Sequence, residues 1–148
     1  MFRRLLKPSK NNSFYVFGAR GTGKSTFIRE QFGLKNAWFI DLLNPELENQ
    51  YTLHPMDLEK EFLAFAKKPE WVVLDEVQRV PKLLNVVHRL IENHRQKFIL
   101  TGSSARKLKS GAANLLAGRA FYYRLFPLTF LALAGEFSLE SCLQWGSL

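Results

Sequence analysis

Apolar residues in this chain fall into short dense runs separated by polar turns, and the runs alternate between strand-like and helix-like spacing. Ser13-Phe14-Tyr15-Val16-Phe17 is β-branched and aromatic, which predicts a buried strand. From Ser25 onward, Phe27, Ile28, Gln31 and Phe32 recur at helical spacing, and Gly33 suits the end of that helix. Asn36 to Asp41 predicts a second strand closed by an acid. Asn44-Pro45 then marks a loop, and little periodicity follows up to Pro55. Asp57 is placed to cap a helix carrying Leu58, Phe62 and Phe65 on one face, with Pro69 as its breaker. Trp71-Val72-Val73-Leu74-Asp75-Glu76 is a continuous apolar run ending in two acids, the pattern of a central parallel strand. Pro81 suits the first turn of a helix with Leu84, Val87, Leu90 and Ile91 inward. Lys97 to Thr101 and Phe121 to Leu125 predict two more strands. Between them Ser103 or Ser104 caps a helix over 105–117, interrupted at Gly111 and stopped at Gly118. Strands alternating with helices predict an α/β fold, a parallel sheet covered on both faces.

Composition narrows the class. A chain of 148 residues, 47% hydrophobic and 23% charged, suits one globular domain, and its 13 Phe residues can fill a dense core. No apolar run approaches the length of a membrane span, and the basic start Met1 to Pro8 lacks the apolar core of a signal peptide. Cys142 is the only cysteine, which excludes an internal disulfide and a thiolate-rich zinc site; a cytoplasmic address is the default expectation. His54, His88 and His94 have no metal-ligand spacing.

The net charge of +8 is segregated. Residues 1–40 carry eight Lys/Arg against Glu30, residues 41–76 nine acids against three bases, and residues 77–124 ten bases against Glu92. Such a layout fits either a nucleic-acid face or a phosphate site beside a surface for an acidic partner.

The candidate chemistry lies at two strand ends. Gly18-Ala19-Arg20-Gly21-Thr22-Gly23-Lys24-Ser25 fits G-x-x-x-x-G-K-[ST], between a predicted strand and a predicted helix as that phosphate-binding loop requires. The glycines let successive amides turn toward phosphate oxygens at the positive end of the helix. Lys24 would reach the β- and γ-phosphates, and the Ser25 hydroxyl would bind Mg²⁺, with Thr26 following in the same helix. Arg20 either contacts phosphate or faces solvent. At the tip of the later strand, Asp75 would hold the Mg²⁺ water shell, and Glu76 would deprotonate the attacking water.

Gly18 to Thr26, Trp71 to Pro81, Phe98 to Ser104 and Leu116 to Phe130 together resemble the AAA-type ATPase domain of bacterial and archaeal ATP-binding proteins. The likeness spans nearly the whole chain. It implies a three-layer fold with five parallel strands, in which the Thr101 strand lies between the phosphate-loop strand and the Asp75 strand. It further implies ATP and Mg²⁺ as ligands, and Ser103 ahead of Thr101 as a polar sensor of the γ-phosphate. It also draws attention to Arg119, either as an arginine finger acting within one subunit or on its neighbour or in a plain structural role paired with a carboxylate. Relatives of this kind usually carry a further C-terminal domain. The expected layout is therefore a lead-in at 1–12, the ATPase domain at 13–130, and the start of a truncated C-terminal region at 131–148. The missing domain or a second copy of the chain is the expected partner. Two alternatives stay open beside an ATPase: a nucleotide switch without independent turnover, and a nucleic-acid-associated ATPase. A small-molecule kinase is a more distant third, because acids at a strand tip better suit water activation.

Overall fold

A computed structural model describes residues 6–33, 35–103 and 116–126. Five strands form one sheet: β1 (Ser13–Phe17), β2 (Ala37–Asp41), β3 (Trp71–Asp75), β4 (Lys97–Gly102) and β5 (Ala120–Arg124). Their spatial order is β2-β3-β4-β1-β5, and every pair is parallel. β4 therefore separates β1 from β3, as the family resemblance implied.

Period-two alternation persists inside strands that are apolar throughout, because each face of the sheet has its own cover. Phe14, Val16, Trp71, Val73 and Ile99 meet Phe27 and Ile28 of helix α1 (Lys24–Phe32) on one face. Tyr15, Phe17, Val72, Leu74, Phe98 and Leu100 face the other way, toward α3 (Asp57–Ala64) and α4 (Leu83–His94). Phe14, Phe32 and Trp71 pack ring against ring, with centroids 5.1 to 5.8 Å apart, beneath α1. The lead-in docks on this face as well: Leu6 packs into the cluster, and the Ser9 amide donates to the Tyr123 hydroxyl at 3.2 Å.

Three local readings are corrected by the structure. The stretch after Asn44 is a helix, α2 (Pro45–Leu53), in which Asn44 accepts from the Glu46 amide, Pro45 opens the first turn, and Glu46 and Glu48 lie near the positive end. Its one buried side chain is Tyr51, so it shows no apolar stripe. α3 starts at Asp57 with Met56 as its cap residue, and Phe65 leaves the helix in extended backbone to stack edge-on against Trp38. Pro81 precedes α4, whose cap residue is Lys82, and a 3-10 turn, Val77–Arg79, fills the gap after β3. The helix expected over 105–117 lies outside the described residues up to 115, as does 127–148. Among the described residues no helix is long and apolar enough to cross a membrane.

Candidate nucleotide site

Parallel strands place all their C-terminal tips on one edge, and three tips meet here. Gly18 leaves β1, Glu76 follows β3, and Ser103 follows β4. The Gly18 amide donates to the Gly102 carbonyl at 3.2 Å, pinning the start of the loop to the end of β4. The loop then turns on Gly21 and Gly23, at φ 84° and 77°, in the left-handed region where a Cβ is costly. Gly23 is the cap residue of α1, which has no side-chain cap and no acid in its first turn. The first amides of that helix are thus left to a ligand.

Gly18 is required for a different reason. A Cβ there would stand 2.5 Å from the Leu125 carbonyl oxygen and 2.8 Å from Thr22 Oγ1. The first neighbour is backbone and cannot swing aside. Gly18→Ala is expected to cost about 1–3 kcal/mol of stability, read as a lower urea midpoint. An unchanged midpoint would mean the loop lies elsewhere.

Lys24 is buried, and its Nζ donates to the carbonyls of Gly18 at 2.9 Å and Ala19 at 3.2 Å. It also lies 3.5 Å from Oε1 of Glu76. Ser25 Oγ donates to Asp75 Oδ2 at 2.9 Å, joining the loop helix to the tip of β3. Thr22 Oγ1 closes the loop on Ala19 O at 2.9 Å, while Ala19, Arg20, Gly21 and Thr26 are exposed around it. Lys24, Ser25, Asp75 and Glu76, named from two separate stretches of sequence, are brought together.

Thr101 has a different place from the expected one. It is fully buried; its hydroxyl donates to the Asp75 carboxylate and accepts from the Glu76 amide at 3.0 Å. Both its bonding roles are thus taken up in bracing the acid pair, and of the two sensor candidates only Ser103 is exposed. Glu76 itself sits at φ 58°, ψ 47°, a left-handed conformation unusual for a residue with a Cβ, which turns the chain sharply at the strand tip.

Arg119 is not brought to this site. It precedes β5, and the register Ser13↔Ala120 sets it beside the start of β1, at the far end of the sheet. Five strand residues separate that level from the loop, roughly 16 Å of extended chain. A finger acting on its own chain's loop is therefore ruled out. Arg119 pairs instead with Glu92, whose carboxyl it holds below the usual carboxylate range. A depressed folded-state value means that this pairing helps at neutral pH and is lost as acid protonates Glu92. In isothermal titration, Arg119→Ala should shift ATP binding to the isolated chain by no more than about 0.5 kcal/mol, as for well-separated sites. A large loss would contradict this placement.

A divalent ion finds hard oxygen donors at Ser25 and Asp75. Among the described residues no group of three His, Cys, Asp or Glu could cage a metal. Mg²⁺ is usually held by one or two protein oxygens together with phosphate and water, and Ser25 and Asp75 could supply the protein oxygens.

The sheet order, the glycine loop capping α1 and the buried lysine define a P-loop nucleotide-binding ATPase fold. A family model described as an AAA domain matches residues 10–133, and the chain belongs to that family. An uncharacterised protein of Haemophilus influenzae is 25% identical over 124 residues, covering 78% of this chain and 31% of its own length. The chain thus spans about a third of that relative. Among solved structures, the Aeropyrum pernix ORC1 protein in complex with DNA matches with a TM-score of 0.57 at 13% identity, covering 82% of this chain and 41% of that one. Drosophila ORC bound to AT-rich DNA and Cdc6 matches with a TM-score of 0.50 at 13% identity, covering 91% and 57%. At that identity the two structures speak for the fold.

Proposed function

We propose that this chain binds Mg·ATP at the Gly18–Thr26 loop and hydrolyses it with Glu76 as general base. The observation that carries this reading is the convergence of four side chains across two strand tips, with Lys24 3.5 Å from Glu76 and Ser25 2.9 Å from Asp75. Lys24 would hold the β- and γ-phosphates, exchanging its bonds to the loop carbonyls for bonds to phosphate. Ser25 and Asp75 would hold Mg²⁺, whose charge offsets that of the triphosphate. Glu76 would accept the proton of the attacking water, and Thr101 would keep both acids in register. Ser103 is the polar group offered to the γ-phosphate. Arg119 could act only on the nucleotide of an adjacent copy. Phosphate release from ATP, with and without Mg²⁺, tests the reading; binding without release would leave a nucleotide switch.

Nucleic-acid association is the second reading, motivated by the basic 77–124 stretch. Among the described residues, four of its seven bases are paired: Arg79 with Glu48, Arg89 with Glu59, Arg119 with Glu92 and Lys97 with Glu70. DNA or RNA binding that weakens steeply with salt would favour it. The ATPase domain we propose spans residues 13–130.

A further inference from the structure

Among the described residues two buried side-chain polar atoms lack a hydrogen-bond partner, Tyr15 Oη and Gln78 Oε1, and the second lies at the nucleotide site. Gln78 sits two residues past Glu76, in the 3-10 turn Val77–Arg79. Its amide nitrogen donates to Oε2 of Glu76 and, at 3.1 Å, to Oγ of Ser103. The reverse amide orientation would set Oε1 against the Glu76 carboxylate, acceptor facing acceptor, so Glu76 decides which way the amide points. The unpaired oxygen rests over Gly102, where a Cβ would stand 2.7 Å from it. A glycine at the end of β4 thus makes room for an amide whose donor is committed elsewhere.

We propose that Gln78 is a positioning residue that ties the Glu76 carboxylate to the tip of β4 through Ser103. Lys24 stands 3.5 Å from one carboxylate oxygen and the Gln78 amide bonds the other, so the two hold Glu76 from opposite sides. Phosphate competes for the Lys24 ammonium; the Gln78 amide carries no charge and stays with Glu76. The carboxylate then keeps its aim through the step in which Lys24 changes partners. Ser103, at the strand tip offered to the γ-phosphate, shares the same amide, so movement there is passed to Glu76. This inference rests on Glu76 acting as the base.

Two variants of the full chain test it by different routes. Gln78→Met keeps the length of the side chain and removes the amide, whereas Gly102→Ala retains the amide and displaces it, its Cβ also meeting the Phe17 ring at 3.2 Å. Both should lower kcat for ATP about tenfold or more while KM stays within about threefold, the split expected when only alignment of the reacting groups is lost. In thermal melting, Gln78→Met combined with Ser103→Ala should lose no more Tm than the worse single variant, because both remove the same bond. Additive Tm losses would overturn the bridge whether or not the chain turns over ATP. Unchanged kcat in Gln78→Met, beside an active parent, would overturn the positioning role. A parent without turnover would defeat the proposed hydrolysis, and the melting comparison would still decide the bridge.

Discussion

Glu76→Gln should abolish nearly all ATP turnover while nucleotide binding survives. The substitution keeps the size of the side chain and removes its capacity to take a proton. General-base catalysis contributes typically 10²- to 10⁴-fold, about 3–5 kcal/mol of barrier. Binding is expected to hold or tighten, because the carboxylate 3.5 Å from Lys24 competes with phosphate for that ammonium. Single-turnover phosphate release and equilibrium titration, run on the same preparation, separate the two effects. Full turnover in Glu76→Gln would remove Glu76 as the base. Loss of binding would instead make it part of the phosphate cradle.

Lys24→Ala should do the reverse and remove binding itself. The ammonium is buried and already makes two charge-assisted bonds, to Gly18 O and Ala19 O, in the geometry that a phosphate would take over. Two such bonds to charged oxygens, at about 1.5–3 kcal/mol each, correspond to roughly 10²- to 10⁴-fold in affinity. The fold should survive. Lys24 lies at the start of α1, and the side chains that fix this helix to the sheet are Phe27 and Ile28. Circular dichroism showing native content beside lost ATP binding would bear this out; unchanged affinity would remove Lys24 from the site.

These two effects concern residues that sequence alone picks out, because their signals are local. A glycine loop between a strand and a helix, and two acids closing an apolar run, need no tertiary information to be read. The strands are legible for the same reason, since β1 and β3 are each apolar at all but one position and β4 carries Phe98, Ile99 and Leu100 at its centre. Helix α2 is not legible by periodicity, since Tyr51 alone is buried. Its signs are chemical instead: an Asn cap, Pro in the first turn and acids at the positive end.

Three other features depend on register and packing. Arg119 immediately precedes β5, yet the pairing of Ser13 with Ala120 carries it to the opposite end of the sheet from the loop. Thr101 follows an apolar strand and looks like a tip residue, but the strand runs one residue further to Gly102, which leaves Thr101 buried against Asp75. Gln78 gives no periodic signal. It reaches the site because the left-handed turn at Glu76 folds the succeeding residues back across the end of β4.

The arrangement of this site is tested most directly by a crystal structure of the chain grown with Mg²⁺ and a non-hydrolysable ATP analogue. The triphosphate tail should lie across Gly18 to Ser25, with Lys24 Nζ on its oxygens and the cation between Ser25 Oγ and the Asp75 carboxylate. Nucleotide bound elsewhere, or a cation held away from both residues, would contradict the assignment.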